Sequence, residues 1–215
     1  MNAAQLAAAV RQMQMLCVGQ VTHDRYRDEI VAGGCAFFGA RCAHALGARV
    51  RLLTSFGDDF ARQADLDPLE VHAVRGGATT VFTNTYPSGA YRVQKVESVA
   101  GPIHAGDLPE EWACPDVLFL APVFGEIDPA EPWLSRVRAR VSAVCVQGFL
   151  KTADPQTGIV VPGASLLSKP FFPGADAFFL SEEDIACFGG PGLLDFLRAR
   201  ARSVFVTRGE KGCDI

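Results

Sequence analysis

No stretch of eighteen uncharged apolar residues occurs in this chain, so no transmembrane helix is expected. The alanine-rich Asn2 to Val10 lacks both a basic start and a leucine-rich core, so it does not read as a secretory signal. A cytoplasmic address is the resulting expectation. There is no C-x-x-C pair among the seven cysteines, at 17, 35, 42, 114, 145, 187 and 213. Their odd number and mostly apolar neighbours favour buried reduced thiols over a metal or disulfide framework. The histidines at 23, 44, 72 and 104 lack ligand spacing, so no zinc site is expected. Excess positive charge is missing too. The net charge of −4 gives nucleic acid or an acidic membrane surface no electrostatic reason to bind, which leaves small solutes as partners.

What is present suits one globular domain over residues 1–215. At 49% hydrophobic and 20% charged residues, a chain of this length buries roughly 70% of its unfolded surface. Short apolar runs at Met15 to Gly19, Val117 to Ala121, Ala143 to Gln147, Ala177 to Leu180 and Ser203 to Thr207 read as buried strands. Helical stretches are expected near Ala130 to Val141, Glu182 to Phe188 and Gly192 to Arg202. Strands alternating with helices predict a mainly parallel central sheet with helices on its faces, an α/β fold.

The densest information lies in residues 32–60. Gly33 and Gly34 permit backbone conformations closed to other residues and bring main-chain N–H groups close to a ligand. Ala36 to Leu46 is free of proline and rich in alanine, so a mostly buried helix is expected, with Gly47 as a left-handed C-cap. Arg49 to Ser55 follows as a strand, and Gly57-Asp58-Asp59 closes it with a turn. A second region departs from the α/β alternation. Thr79 to Tyr86, the Pro87-Ser88-Gly89 turn and Ala90 to Val99 form a predicted hairpin. With the extended Arg25 to Val31 it can build a small separate sheet.

Taken in order, these parts resemble the ribokinase-like (PfkB) family of carbohydrate and nucleoside kinases over almost the whole chain. The features that carry the resemblance are Gly19-Gln-Val-Thr-His-Asp24, the Gly33-Gly34 helix, the Gly57-Asp58-Asp59 turn, the hairpin and Thr207-Arg-Gly-Glu-Lys-Gly212. The resemblance implies ATP-dependent phosphorylation of a hydroxyl on a sugar, cyclitol or nucleoside, with Mg2+. It makes Asp24, Gly33, Gly34 and Phe38 the acceptor-binding residues, and the segments 25–31 and 79–99 a β-lid. A carboxylate suits hydroxyl binding because it accepts charge-assisted bonds from two vicinal OH groups. On the donor side the resemblance assigns Ser181, Asp184, Thr207, Gly209 and Gly212, with Asp184 reaching a hydrated magnesium ion. The implied partners are the acceptor, ATP and a second copy meeting this one through the lid.

The pattern also departs from the family. Phe38 stands where sugar-specific members present asparagine, and a ring packs on a sugar face without hydrogen-bonding its hydroxyls. Serine and aspartate replace the ends of the family's Asn-x-x-Glu motif at Ser181 and Asp184. The Gly-Ala-Gly-Asp motif that holds the family's catalytic base is not found up to Ile215. The expectation is a C-terminally truncated kinase whose 215 residues alone are inactive. The alternative is a non-catalytic sugar- or nucleotide-binding sensor of kinase ancestry. A nicotinamide-dependent enzyme is disfavoured, because no Gly-x-Gly-x-x-Gly turn follows the first strand.

Overall fold

The computed structural model describes residues 2–27, 29–87, 92–164, 166–168 and 171–215. Helix α1 (Ala3–Gln12) begins at a capping box in which the Asn2 side chain accepts from Gln5 N–H and the Gln5 side chain accepts from Asn2 N–H. Two strand-rich segments follow it. The first contains β1 (Gln14–Val18), β2 (Thr22–Tyr26), β3 (Glu29–Gly33), helix α2 (Cys35–Ala45), β4 (Arg49–Phe56) and β5 (Glu70–Arg75). Next come β6 (Thr80–Thr85), β7 (Val93–Ser98), β8 (Val117–Leu120), α3 (Trp133–Arg136), β9 (Val141–Cys145), β10 (Lys151–Ala153) and β11 (Val160–Pro162). The chain ends with β12 (Ala177–Ser181), α4 (Glu182–Asp184), α5 (Leu193–Arg198), β13 (Ser203–Thr207) and β14 (Cys213–Asp214).

The main sheet runs β14-β13-β12-β9-β8-β1-β4-β5, parallel throughout except at β14. Alternation along the strands divides the core by face. Leu16, Val18, Leu118, Leu120 and Val144 face one side with Trp133, Phe178 and Leu197, whereas Cys17, Leu52 and Phe56 meet Ala36 and Ala40 of α2 on the other. On that second face Phe119 meets Phe179 edge to face at 6.3 Å and Phe179 stacks on Phe205 at 4.5 Å, along an apolar groove of about 650 Å³. The second sheet, β3-β2-β6-β7, stands apart as expected for the lid.

Several expectations need correction. The helix predicted over Ala130 to Val141 shrinks to α3, because Arg138 N–H bonds to Ala113 O and both Arg140 and Val141 N–H bond to Asp116 O. Carbonyls of the segment just before β8 thus claim the backbone donors that a longer helix would use. Likewise α5 stops at Arg198, and Ser203 N–H already pairs with Asp176 O. The extended Arg25 to Val31 is two antiparallel strands, β2 and β3, turning at Arg27 with φ of 53°; Asp28 lies outside the described residues. Ser88, Gly89, Ala90 and Tyr91 of the predicted hairpin also lie outside them. Helix α2 is only half covered: Ala36, Phe37 and Ala40 are buried, while Arg41, Cys42, His44 and Ala45 are exposed. Gly47 does take the left-handed conformation, at φ 96°. Of the cysteines, 17 and 145 are buried and 35 and 187 half-buried, but 42, 114 and 213 are exposed. The described residues hold no helix long and apolar enough to cross a membrane.

Candidate active site

At the carboxyl ends of the core strands, below the small sheet, lies a cavity of about 130 Å³. Its walls contain Asp24 of β2, Gly34, Cys35 and Phe38 at the start of α2, and Gln147 and Lys151 beyond β9. Open α/β sheets place ligands at this edge.

Asp24 is aimed by its neighbours. Thr22 Oγ1 donates to Asp24 Oδ1 at 2.9 Å, and a Cβ on Gly33 would lie 2.5 Å from the Asp24 carboxyl carbon. Gly33 therefore leaves the space that this carboxylate occupies. Burial pushes the Asp24 carboxyl above the usual range, opposed by the Thr22 hydrogen bond and by the charges of Arg92 and Lys151. Gly34 precedes α2 at φ 105°, and a side chain there would strike Gln20 O. Phe38 packs on Phe37 at 5.4 Å and remains 56% exposed, so its ring forms the outer rim.

Lys151 joins this cavity to a second one. It lies four residues past Gln147 across a tight turn, with its ammonium 3.3 Å from Gln147 Oε1, 3.7 Å from Asp184 Oδ1 and 5.2 Å above the Phe188 ring. Its side chain is only 4% exposed. The second cavity, of about 260 Å³, adds Ser181, Glu183 and Asp184 to the same Arg92, Gln94, Gln147 and Lys151.

Asp184 is committed in part to its own helix. Its Oδ2 accepts from Ser181 N–H at 2.9 Å and from Ser181 Oγ at 2.7 Å, while Ser181 Oγ accepts from Asp184 N–H. This capping box leaves Oδ1 towards Lys151 and the cavity. The described residues contain no group of three or more His, Cys, Asp or Glu able to hold a metal. The donor set fits magnesium held through water and phosphate, the ion's usual manner, rather than a direct protein cage.

The structure thus joins Asp24, Gly34 and Phe38 in one cavity, with Gly33 behind Asp24, and puts Ser181 and Asp184 in its neighbour. It does not bring Thr207, Gly209 and Gly212 there. Thr207 pairs in register with Ser181 but is exposed, and both glycines lie on the exposed turn before β14. Arg92 and Gln94 were not foreseen. Their only sequence signal is the two-residue spacing that puts both on one face of the β7 ribbon.

No protein-family model and no curated protein sequence matches the chain. Solved structures do. A sulfate complex of a pyrophosphate-dependent kinase in the ribokinase family superposes with a TM-score of 0.74 at 20% identity, over 91% of this chain and 73% of that one. The pyrophosphate-dependent kinase of that family complexed with a pyrophosphate analog and myo-inositol gives 0.73 at 18% identity, over 91% and 73%. Fructokinase from Xylella fastidiosa gives 0.59 at 14% identity, over 90% and 69%.

Proposed function

Since the chain has the ribokinase-like fold, we propose that it belongs to a kinase that moves a phosphoryl group from ATP, with Mg2+, to a hydroxyl of a small polyol. A cyclitol is the favoured acceptor among sugars, cyclitols and nucleosides. The observation that carries this reading is the pair of adjoining cavities with Arg92, Gln94, Gln147 and Lys151 in both linings. An acceptor in the first and a phosphate donor in the second would meet at Lys151.

The roles follow from the chemistry of each group. Asp24 accepts hydrogen bonds from two neighbouring hydroxyls, and Gln94 and Gln147 supply neutral amides. Phe38 and Phe82 cover the apolar ring face. This mixture suits a polyol ring with hydroxyls at its edges. Lys151 offsets charge developing on the transferred group, and preorganised charges of this kind act through positioning rather than covalent chemistry. Asp184 Oδ1 would hold a water of the magnesium shell; when bound, that ion neutralises donor phosphate oxygens.

Pyrophosphate as donor is a second reading with its own support. The second cavity suits a phosphate group, while the turn expected to cradle nucleotide phosphates lies outside it. The two structures of a pyrophosphate-dependent kinase also superpose at 0.74 and 0.73, against 0.59 for the fructokinase.

A thermal-shift screen with myo-inositol, fructose, ribose and adenosine tests the acceptor. A ligand at 100 times its dissociation constant stabilises by about 2.7 kcal/mol, or about 5–10 °C for a domain of this size. The expected result is a shift with myo-inositol that Asp24→Asn abolishes. If none of the four binds, or Asp24→Asn binds as well as the parent, the reading fails. Addition of ATP or pyrophosphate with magnesium separates the two donors by the further shift that each gives.

A further inference from the structure

Cys35 and Cys145 are distant in sequence and meet behind the acceptor cavity. Cys35 opens α2 immediately after Gly34, is half-buried and lines that cavity. Cys145 ends β9, is buried, and shares a packing cluster with Ala36. Cys35 packs against the buried cluster that contains Cys145. Gln147 Nε2 also donates to Cys35 Sγ at 2.6 Å, and Lys151 lines the same cavity. One thiol therefore faces solvent through a small opening while its neighbour waits in the core.

We propose that Cys35 and Cys145 form a redox pair in which Cys35 meets an oxidant entering the acceptor cavity and Cys145 resolves it, the resulting disulfide shutting that cavity. With a hydroperoxide as oxidant, the Cys35 thiolate attacks the terminal peroxide oxygen and the O–O bond breaks. The alkoxide takes a proton and leaves as alcohol, and Cys35 becomes a sulfenic acid. The Cys145 sulfur then attacks the Cys35 sulfur and the S–O bond breaks; the departing hydroxide takes the Cys145 proton and leaves as water. Two thiols and one hydroperoxide thus give a disulfide, an alcohol and water.

The surroundings sort the two roles. Contact with Cys145 holds the Cys35 thiol below its ordinary range with help from the Lys151 charge, against the effect of burial. The same contact, with burial, pushes Cys145 up. An accessible thiol of lowered pKa is the one that reacts first. Forming the disulfide draws the first turn of α2 towards β9 and takes from Gln147 the sulfur to which it donates. Closure of an acceptor site rests on the kinase reading; the thiol chemistry does not.

The test treats the reduced protein with tert-butyl hydroperoxide at about one equivalent and maps the products by peptide mass spectrometry. A Cys35–Cys145 crosslink, reversed by dithiothreitol, is expected as the first product. Oxidation of Cys42, Cys114 or Cys213 while Cys35 stays reduced overturns the proposal. In Cys145→Ala the Cys35 sulfenic acid should accumulate and be trapped by dimedone, and an unlabelled Cys35 in folded variant is a second refutation. If that variant does not fold, the map of the parent protein decides. Calorimetry with myo-inositol before and after oxidation reads the gate: affinity should fall by at least roughly tenfold and return on reduction. Equal binding by the crosslinked protein overturns the gate. A reduced protein that does not bind myo-inositol counts against the acceptor reading, and the peptide map still decides the redox pair.

Discussion

Gly33→Ala should disarm Asp24 while leaving the chain folded. Gly33 is not among the positive-φ glycines, so its backbone accepts a side chain. The obstacle is space. The added Cβ would lie 2.5 Å from Asp24 Cγ and 2.6 Å from both Asp24 Oδ2 and Thr22 Oγ1. Both obstructing groups are ends of short side chains and can turn away, at the expense of the 2.9 Å Thr22–Asp24 hydrogen bond. Overpacking plus that lost bond costs about 1–3 kcal/mol, a fall of about 2–10 °C in Tm for a domain of this size. A double-mutant cycle isolates the cause. With Asp24→Ala in place the Cβ meets no carboxylate, so the cost of Gly33→Ala should shrink, with a coupling of about 1 kcal/mol or more. Acceptor affinity should fall roughly 10- to 150-fold, the value of a lost bond to a charged group of about 1.5–3 kcal/mol. Urea unfolding of the four proteins and calorimetry of Gly33→Ala with myo-inositol provide the measurements. Costs additive to within about 0.5 kcal/mol, or unchanged affinity, would refute the reasoning.

Three other outcomes are expected. Lys151→Met removes one of the two cations that line both cavities, the other being Arg92, so pyrophosphate should bind at least roughly tenfold more weakly by calorimetry while myo-inositol is affected less; unchanged pyrophosphate affinity removes Lys151 from the donor contacts. His23 is 6% exposed and its Nε2 accepts from Ala61 N–H at 3.0 Å, which requires the neutral ring. Burial lowers its pKa, with smaller opposing and reinforcing charges around it. The unfolded chain therefore binds the proton more readily, and stability from this group is present above about pH 6.5 and lost as pH falls through the folded value. Urea midpoints between pH 8 and 5 should show that loss, flattened in His23→Gln; identical profiles contradict it. Glu126→Gln should destabilise by about 1–3 kcal/mol or more, because the buried carboxylate accepts from the N–H groups of Gln20, Val123 and Phe124 and an amide sets a donor against one of them. A urea midpoint equal to that of the parent counts against this.

The sheet was legible because its strands are short apolar runs of the length that a buried parallel strand needs, and Met15, Val117, Ala177 and Ser203 all begin or enter strands as expected. Asp24 was marked by the resemblance and not by its local pattern, which alone reads as a turn aspartate, whereas the Gly33-Gly34 pair showed locally only that a helix begins there. Elements decided by competition with distant backbone were not. The 130–141 segment loses its helix to partners at Ala113 and Asp116, and the β2–β3 turn is made at Arg27 without a glycine signal. Strand β5 was missed as well: its residues 70–75 are exposed or half-buried, with no apolar run to mark them. At the site, the convergence of Gln147 and Lys151 with Arg92 and Asp184 depends on three separate connections packing together.

The position of Asp24 in its sheet also bears on how an acceptor would be held. The base of the small sheet is tied to the core through Gln20, whose amide donates to Ala100 O and Gly101 O and accepts from Thr80 Oγ1 at 2.6 Å. Thr80 Oγ1 in turn accepts from Ala100 N–H, and Val21 N–H donates to Thr54 Oγ1. All of these bonds except the part-buried one to Gly101 are buried, and leaving one of the buried groups unpaired costs about 1–3 kcal/mol. Farther out, the sheet is joined by the Arg25–Glu97 ion pair, whose side chains are 38% and 36% exposed. Such a pair contributes about 0–1 kcal/mol. The buried side-chain ties therefore lie at the base of the sheet, and Asp24 lies between them and Arg25. Under the proposed reading its carboxylate would meet an acceptor already oriented, which would lower the ordering cost of binding. Arg92 and Gln94 belong to the outer strand β7 and its approach, so under the same reading adjustment to acceptors of different size would fall to them.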